Sequence, residues 1–284
     1  MRCMTLNIWN YNRPWPKRRA LIASLIMNLQ PDVVCLQETR HDWRYDKGRG
    51  QGEQLADATG YHPTWAVGQV YVPILRVDEG LTILTRSQPE RVMSRRLTRL
   101  PHEREDENQR VCLGVGLDIE GREVHVYDAH FSLSEAARLA NARECAELVR
   151  TESGSLPSLL MGDLNARPDT PPIRFLTGEP VIDGEAGDFA DCWAAVHGDE
   201  PGFTYSSNRP YHRIDYVLAR NLEGRIAAAH IVGGDPEDGV YPSDHLGIVV
   251  DINLAGGPAM ASVPQLPMLD RDDGKETNGA SNHN

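Results

Sequence analysis

Six short apolar runs in this chain each lead to an acid, an amide or an imidazole, and that repetition restricts the fold more than any other feature. Residues 4–9 carry Asn7, Val33-Val34-Cys35-Leu36 leads to Glu38, and residues 124–129 lead to His130. Leu159-Leu160-Met161-Gly162 is followed by Asp163 and Asn165, Asp215 lies in Arg213-Ile214-Asp215-Tyr216, and Asp244-His245 stands just before the run 247–252. Short apolar, β-branched runs are typical of buried strands. An α/β sheet presents its ligands and catalysts just beyond the ends of such strands. One Asp or Asn at a strand end is usually a turn former or cap, and one His is more often a packed core residue. Turns do not require the same chemistry six times, whereas a metal site for phosphate does.

The remaining elements fit an α/β alternation. Residues 17–29 are predicted as a helix with Leu21, Ile22, Leu25, Ile26 and Leu29 on its apolar stripe, ended by Pro31 and Asp32. Further strands are expected at 33–37, 81–85, 111–119, 158–161 and 214–218, with Gly121 turning a hairpin. A second helix is expected from just after Ser132 to about Arg150, because Ser132-x-x-Glu135 has the form of a capping box. Segments 40–52 and 199–213 read as loops, and no internal repeat is evident. Residues 1–254 are expected to form the catalytic domain, and 255–284, rich in Gly, Pro, Ser, Asp and Asn, a flexible tail.

Composition limits the partners. The formal charge of −12 argues against a broad basic surface for nucleic acid, although a local cleft with a bound cation can overcome the global sign. Cys3, Cys35, Cys112, Cys145 and Cys192 are odd in number and scattered, which suits reduced, buried thiols and a cytoplasmic protein. No signal peptide is read at the N-terminus, and no apolar run approaches the ~20 residues of a membrane-spanning helix. No protein partner is indicated.

Hard cations such as Mg²⁺ or Mn²⁺ prefer carboxylate and amide oxygens and leave positions for water and phosphate. Phosphodiester hydrolysis needs an activated water and stabilisation of charge on the phosphoryl oxygens. Two imidazoles with acids to orient them meet that need. The chain has no H-E-x-x-H, G-x-S-x-G or phosphate-cradling Gly-rich loop.

The ordered series Leu6-Asn7-Ile8, Pro31 to Glu38, Glu79 to Arg86, Asp128-Ala129-His130, Gly162 to Asn165, Arg213 to Tyr216 and Ser243-Asp244-His245 resembles the endonuclease/exonuclease/phosphatase superfamily. The superfamily includes pancreatic-type deoxyribonucleases, abasic-site endonucleases, inositol-polyphosphate phosphatases and neutral sphingomyelinases. The resemblance covers about residues 1–253 and implies a four-layer α/β/β/α sandwich with two packed central sheets. It implies Glu38 as the principal metal ligand, with Asn7 close by and Asp244 at a possible second ion. Asp163 and Asn165 would orient water and phosphoryl oxygen, with His245 paired to Asp215 and His130 to Glu79. Either Asp163 or the His245–Asp215 dyad would be the general base, and the metal count is one or two.

Arg110 is a candidate phosphate contact or a salt-bridge partner, and Trp9, Tyr11 and Trp15 are candidates for stacking or for core packing. Arg44, Lys47 and Arg49 either reach a substrate phosphate or line a solvated loop. Asp191, Trp193, Thr204 and Ser243 read as support for the site. The resemblance leaves nucleic acid and a small or lipid-headgroup diester as substrates, with a monoester third. No apolar hairpin suited to pressing into a membrane is read. The contrasting reading is an inactive binding scaffold that keeps the fold.

Overall fold

The computed structural model describes residues 1–72, 77–100, 106–181 and 184–255. The expected tail therefore lies outside the described residues, apart from Ala255. Among the described residues, twelve strands form two mixed sheets of six. One sheet contains β1 (Arg2–Asn7), β2 (Val33–His41), β3 (His62–Val72), β4 (Val77–Thr85), β11 (Ile226–Val232) and β12 (Gly247–Ile252), in the order β11-β12-β1-β2-β4-β3. The other contains β5 (Arg91–Arg96), β6 (Val111–Asp118), β7 (Glu123–His130), β8 (Ser158–Asp163), β9 (Ala190–Asp191) and β10 (Asp215–Arg220), in the order β5-β6-β7-β8-β10-β9.

Each sheet is built on one parallel pair with antiparallel neighbours. β1 runs through α1 (Trp15–Leu29) into parallel β2, and β7 runs through α3 (Glu135–Ser153) into parallel β8. The sequence shows no internal repeat, yet the topology repeats: β12 and β4 flank one pair, β10 and β6 the other, all antiparallel.

Three buried clusters make four layers. Cys3, Val33, Cys35, Val126, Leu159, Met161 and Val217 pack between the sheets. Met4, Leu6, Val34 and Leu36 pack on Ile22 and Ile26 of α1 and on Leu55 of α2 (Gln51–Thr59). Tyr127, Ala129, Leu160 and Leu218 pack on Ala142, Cys145 and Val149 of α3 and on Ile173 of α4 (Pro171–Leu176). Successive strand residues point to opposite faces, so both faces of these strands must be apolar, which explains their unbroken apolar runs. All five cysteines are free and buried.

The structure changes several expectations. The cap of α3 is Ser134, whose hydroxyl accepts from the Ala137 amide, while Ser132 Oγ accepts from the Ser134 amide. α2 and β3, β5, β9 and β11 were not expected from periodicity, nor were α4 and α5 (Cys192–His197). Most of these are short or half-exposed edge elements whose apolar pattern is broken. Gly121 turns the β6–β7 hairpin as expected, with Glu120 and Gly121 both at positive φ (55° and 78°), the combination a two-residue I′ turn requires. Val70, Tyr71 and Val72 at the end of β3 are exposed. Among the described residues, no helix is long and apolar enough to cross a membrane.

Candidate active site

The polar residues gather where the space between the two sheets opens to solvent. Along β1, the face toward the second sheet runs Cys3, Thr5, Asn7; along β2 it runs Val33, Cys35, Gln37. Along β7 it runs Val124, Val126, Asp128, His130, and along β8 Leu159, Met161, Asp163. Each series is apolar in the core and polar at the strand end. Register brings the ends together, with His130 opposite Asp163 across β7–β8 and Asp215 opposite Asp163 across β8–β10.

Glu38 breaks the alternation. Counted from Val34 and Leu36, its side chain would point toward the helices. Between Leu36 and Thr39, β2 carries one residue more than β4, and Glu38 there has φ 55°. This bulge redirects the carboxylate into the inter-sheet opening, where it meets Asn7. A non-glycine residue in this region is strained by ~1–3 kcal/mol, a burden the surrounding sheet has to sustain.

Asp163 Oδ2 is the hub. Asn7 Nδ2 donates to it at 3.0 Å, and the Nε2 atoms of His130 and His245 lie 3.5 and 3.8 Å away. Asp163 Oδ1 accepts from the Asn165 amide at 2.9 Å, and Asn165 Nδ2 donates to the Phe131 carbonyl at 3.0 Å. Asp215, fully buried, accepts from His245 Nδ1 at 3.0 and 3.2 Å. Thr204 Oγ1 accepts from the Asp215 amide, and Ser243 Oγ donates to the Asn7 carbonyl at 2.6 Å and lies 3.3 Å from Asp244 Oδ1. Asp191 caps α5 and binds Arg213 at 2.6 Å.

Burial and neighbouring charge divide the protonation states. Burial, then the charge of Asp215, pushes the Asp163 carboxyl up to about 7. Burial lowers His245, but the carboxylates of Asp215, Asp163 and Asp244 overcome it and raise the imidazole to about 10. His130 moves the other way, well below the usual imidazole range, through burial and repulsion from Arg110 and His245. At neutral pH one imidazole is therefore a cation and the other neutral.

A hard cation fits the acid wall of this cleft. The Glu38 carboxyl is raised by burial and then by repulsion from Glu79 and Asp244, and that of Asp244 by burial. A divalent cation would relieve that crowding with oxygen donors suited to it. Asp163, Asp215 and His245 also bring ligand atoms within 4.8 Å of one another, close enough to hold a metal. In that group, however, His245 Nδ1 is already engaged by Asp215.

Three expected roles change. His130 faces Asp163 rather than Glu79, whose carboxylate is taken by Arg40 at 2.6 Å. Asn7 meets the site as a donor: its NH₂ bridges Glu38 (3.1 Å) and Asp163, while its oxygen accepts from the Trp9 amide (2.9 Å). Tyr11 lies outside the cleft, stacked on Tyr45 at 4.2 Å and bonded to Gln54, and Trp15 is buried in the helix layer. Trp9 does line the cleft, a cavity of about 450 Å³. Arg110 lines it too, bound to buried Asp106 at 2.9 Å. Arg44 and Arg49 are drawn to Asp42 and Asp57 and, like Lys47, are not among the residues lining the cleft.

Sequence reading missed Arg18, Arg40, Tyr71, Asp106, Asn108 and Tyr205. Arg18 is almost fully buried and donates to the carbonyls of Ile8, Trp9 and Asn10. It thereby holds Trp9 and Asn10 in positive φ at the mouth of the cleft. A signal was available, since Arg18 continues the helical stripe of Ile22 and Ile26 at a spacing of four.

Known proteins resemble this chain in sequence and fold. The Endonuclease/Exonuclease/phosphatase family matches residues 4–245. The chain is 25% identical over 274 residues to Nocturnin of Drosophila melanogaster, covering 84% of this chain and 42% of that protein. It is 23% identical to Nocturnin of Xenopus laevis, covering 86% of this chain and 66% of that protein, so it spans less than two thirds of either relative. A solved endonuclease/exonuclease/phosphatase from Beutenbergia cavernae is similar with a TM-score of 0.69 and 26% identity, over 90% of this chain and 72% of that one. The human Nocturnin catalytic domain with bound sulfate anion shares the fold with a TM-score of 0.65 and 20% identity, over 89% and 93% of the two chains.

Proposed function

The chain belongs to the endonuclease/exonuclease/phosphatase family, and from that premise we propose that it is a divalent-metal-dependent phosphodiesterase, with residues 1–254 as its catalytic domain. The observation that carries this reading is the convergence on Asp163 Oδ2 of Asn7, His130 and His245 beside the acid wall of Glu38 and Asp244. Glu38 and Asp244 would hold Mg²⁺ or Mn²⁺, and Asn7 would orient Glu38. When bound, the ion supplies a Lewis acid for a phosphoryl oxygen.

The chain's own groups divide the remaining work. Asp163, with its carboxyl raised to about 7, accepts the proton of the attacking water. His245, kept as an imidazolium by Asp215, donates to a non-bridging phosphoryl oxygen as charge develops there. This favours Asp163 over the His245–Asp215 dyad as general base. Neutral His130 hydrogen-bonds the phosphoryl group from the opposite wall, and Asn165 fixes the Asp163 carboxylate through its backbone amide.

A short diester fits better than a long polyanion. The cleft-lining arginines Arg40 and Arg110 are already matched by Glu79 and Asp106, and the chain carries −12 overall. Polyanion binding depends on free cations that displace counterions from successive phosphates. The test is hydrolysis of bis(p-nitrophenyl) phosphate and of oligonucleotides of increasing length with Mn²⁺, with and without chelator. Expected are chelator-sensitive turnover lost in Glu38→Ala and His245→Ala, and a kcat/KM that does not rise with length. Absence of turnover with any metal would support the scaffold alternative, and rising kcat/KM with a steep salt dependence would support a nuclease.

A further inference from the structure

Directly beneath the cleft, the inter-sheet faces carry one more polar pair. Gln37 on β2 and Asp128 on β7 are both fully buried. Gln37 Nε2 donates to Asp128 Oδ1 at 2.7 Å and to Thr5 Oγ1 at 3.0 Å, which uses both amide hydrogens. Asp128 Oδ2 and Gln37 Oε1 remain, each buried with no hydrogen-bond partner. These are the second polar atoms of the two groups already joined. If Asp128 is ionised, both atoms are acceptors only and neither can serve the other. A proton on Oδ2 removes the conflict, because it creates a donor whose acceptor is Gln37 Oε1 on the same partner amide.

We propose that Asp128 is held as a neutral carboxylic acid, closing an acid–amide pair with Gln37 that ties the two sheets together beneath the active cleft. Burial pushes the Asp128 carboxyl up to about 8, against the opposing hydrogen bond of Gln37 and the pull of the nearby Ala129 and Leu36 backbone. The titratable group facing it from β2 is the Cys35 thiol, itself raised by burial and then by Asp128. From β8 the approach is bare backbone: a Cβ on Gly162 would stand 3.0 Å from Asp128 Oδ1. Gln37 immediately precedes Glu38, and Asp128 lies two residues before His130 on the same strand face. The pair fixes the spacing of the strands that carry those side chains, so Asp128 and Gln37 are positioning residues.

Asp128→Asn is the decisive variant, because an amide presents an oxygen to Gln37 Nε2 and an NH₂ to Gln37 Oε1 without an ionisable proton. Asp128→Ala removes both bonds. Expected are wild-type activity and folding in Asp128→Asn, and loss of both in Asp128→Ala. The raised carboxyl means that the native state keeps a proton the unfolded chain releases. The ratio of wild-type to Asp128→Asn folding constants is therefore expected to fall about tenfold per pH unit as pH rises between 3.8 and about 8. The infrared difference spectrum, wild type minus Asp128→Asn at about pH 6, is expected to show a carboxylic-acid C=O band. A pH-independent ratio without that band would overturn the proposal, as would an Asp128→Asn protein as damaged as Asp128→Ala. Neither the folding ratio nor the spectrum requires turnover, so both remain decisive if the proposed activity fails its own test.

Discussion

Replacing Asp215 by Asn changes one atom's chemistry at the most deeply buried member of the site. Asp215 has no solvent exposure and holds His245 Nδ1 with both oxygens, at 3.0 and 3.2 Å. Losing a hydrogen bond to a charged partner removes ~1.5–3 kcal/mol. At about 1.4 kcal/mol per tenfold, that predicts a fall in kcat/KM of roughly 10- to 150-fold. An amide that turns its NH₂ toward Nδ1 would also impose the wrong imidazole tautomer, an effect worth up to ~10⁴ in serine proteases. The pH profile carries the sharper signature. After burial, the charge of Asp215 helps to raise Asp163 to about 7, and with Asp163 and Asp244 it raises His245 to about 10, so removing that charge lowers both. The wild-type profile needs Asp163 ionised and His245 protonated, so both limbs of the bell move to lower pH in Asp215→Asn. Initial rates on bis(p-nitrophenyl) phosphate across pH, together with NMR titration of the His245 ring, measure the shift. A variant within about threefold of wild type, with both limbs unmoved, would refute the assigned dyad.

Three further outcomes follow from the same charges. Glu38→Gln should abolish metal-supported turnover yet raise the Tm of the metal-free protein, since it relieves repulsion among Glu38, Glu79 and Asp244; Mn²⁺ should then raise the wild-type Tm but not the variant's. Metal-free wild type should lose stability as pH rises above 6.5, by chemical denaturation across pH: Asp163 and His245 both have raised folded pKa values, so their contributions are complete below 3.8 and 6.5 and disappear through about 7 and about 10, while lowered His130 acts in the opposite direction only below 6.5. Arg18→Met should destabilise by roughly 2–4 kcal/mol, because it orphans the carbonyls of Ile8, Trp9 and Asn10, and should raise KM more than it lowers kcat as Trp9 and Asn10 lose their hold. Denaturant melts and steady-state kinetics read both effects.

The parts of this molecule visible in its sequence are those where burial writes a regular pattern. β12 coincides with its expected bounds, and the central strands differ from expectation only at their ends, because both of their faces are packed and the chain must be apolar throughout. Half-exposed β3, β5 and β11 carry no such constraint, and α2, with Gly50 at its cap and Gly60 ending it, is short, with only Gln51 and Gly52 inside the expected loop 40–52. The site was legible as a set of strand-end side chains, since strand parity and the family motifs identify the same residues on β1, β7 and β8, while Glu38 was carried by the motif alone. Pairings were not. Glu79 turns to Arg40 instead of His130 because Arg40 stands opposite it in the β2–β4 register, and that register depends on a bulge at Glu38 that no local pattern announces. Asp106 and Arg110, four residues apart, owe their burial to neighbours distant in the chain, as the hydrogen bond from the Leu133 amide to Asp106 shows.

Anomalous diffraction from a crystal soaked in Mn²⁺ locates the cation without reliance on any substrate. The arrangement of acids predicts a peak in contact with the Glu38 carboxylate and on the Asp244 side of the cleft, lost in Glu38→Gln, with the His245–Asp215 hydrogen bond intact. A peak instead among Asp163, Asp215 and His245, or none at saturating Mn²⁺, would contradict the account.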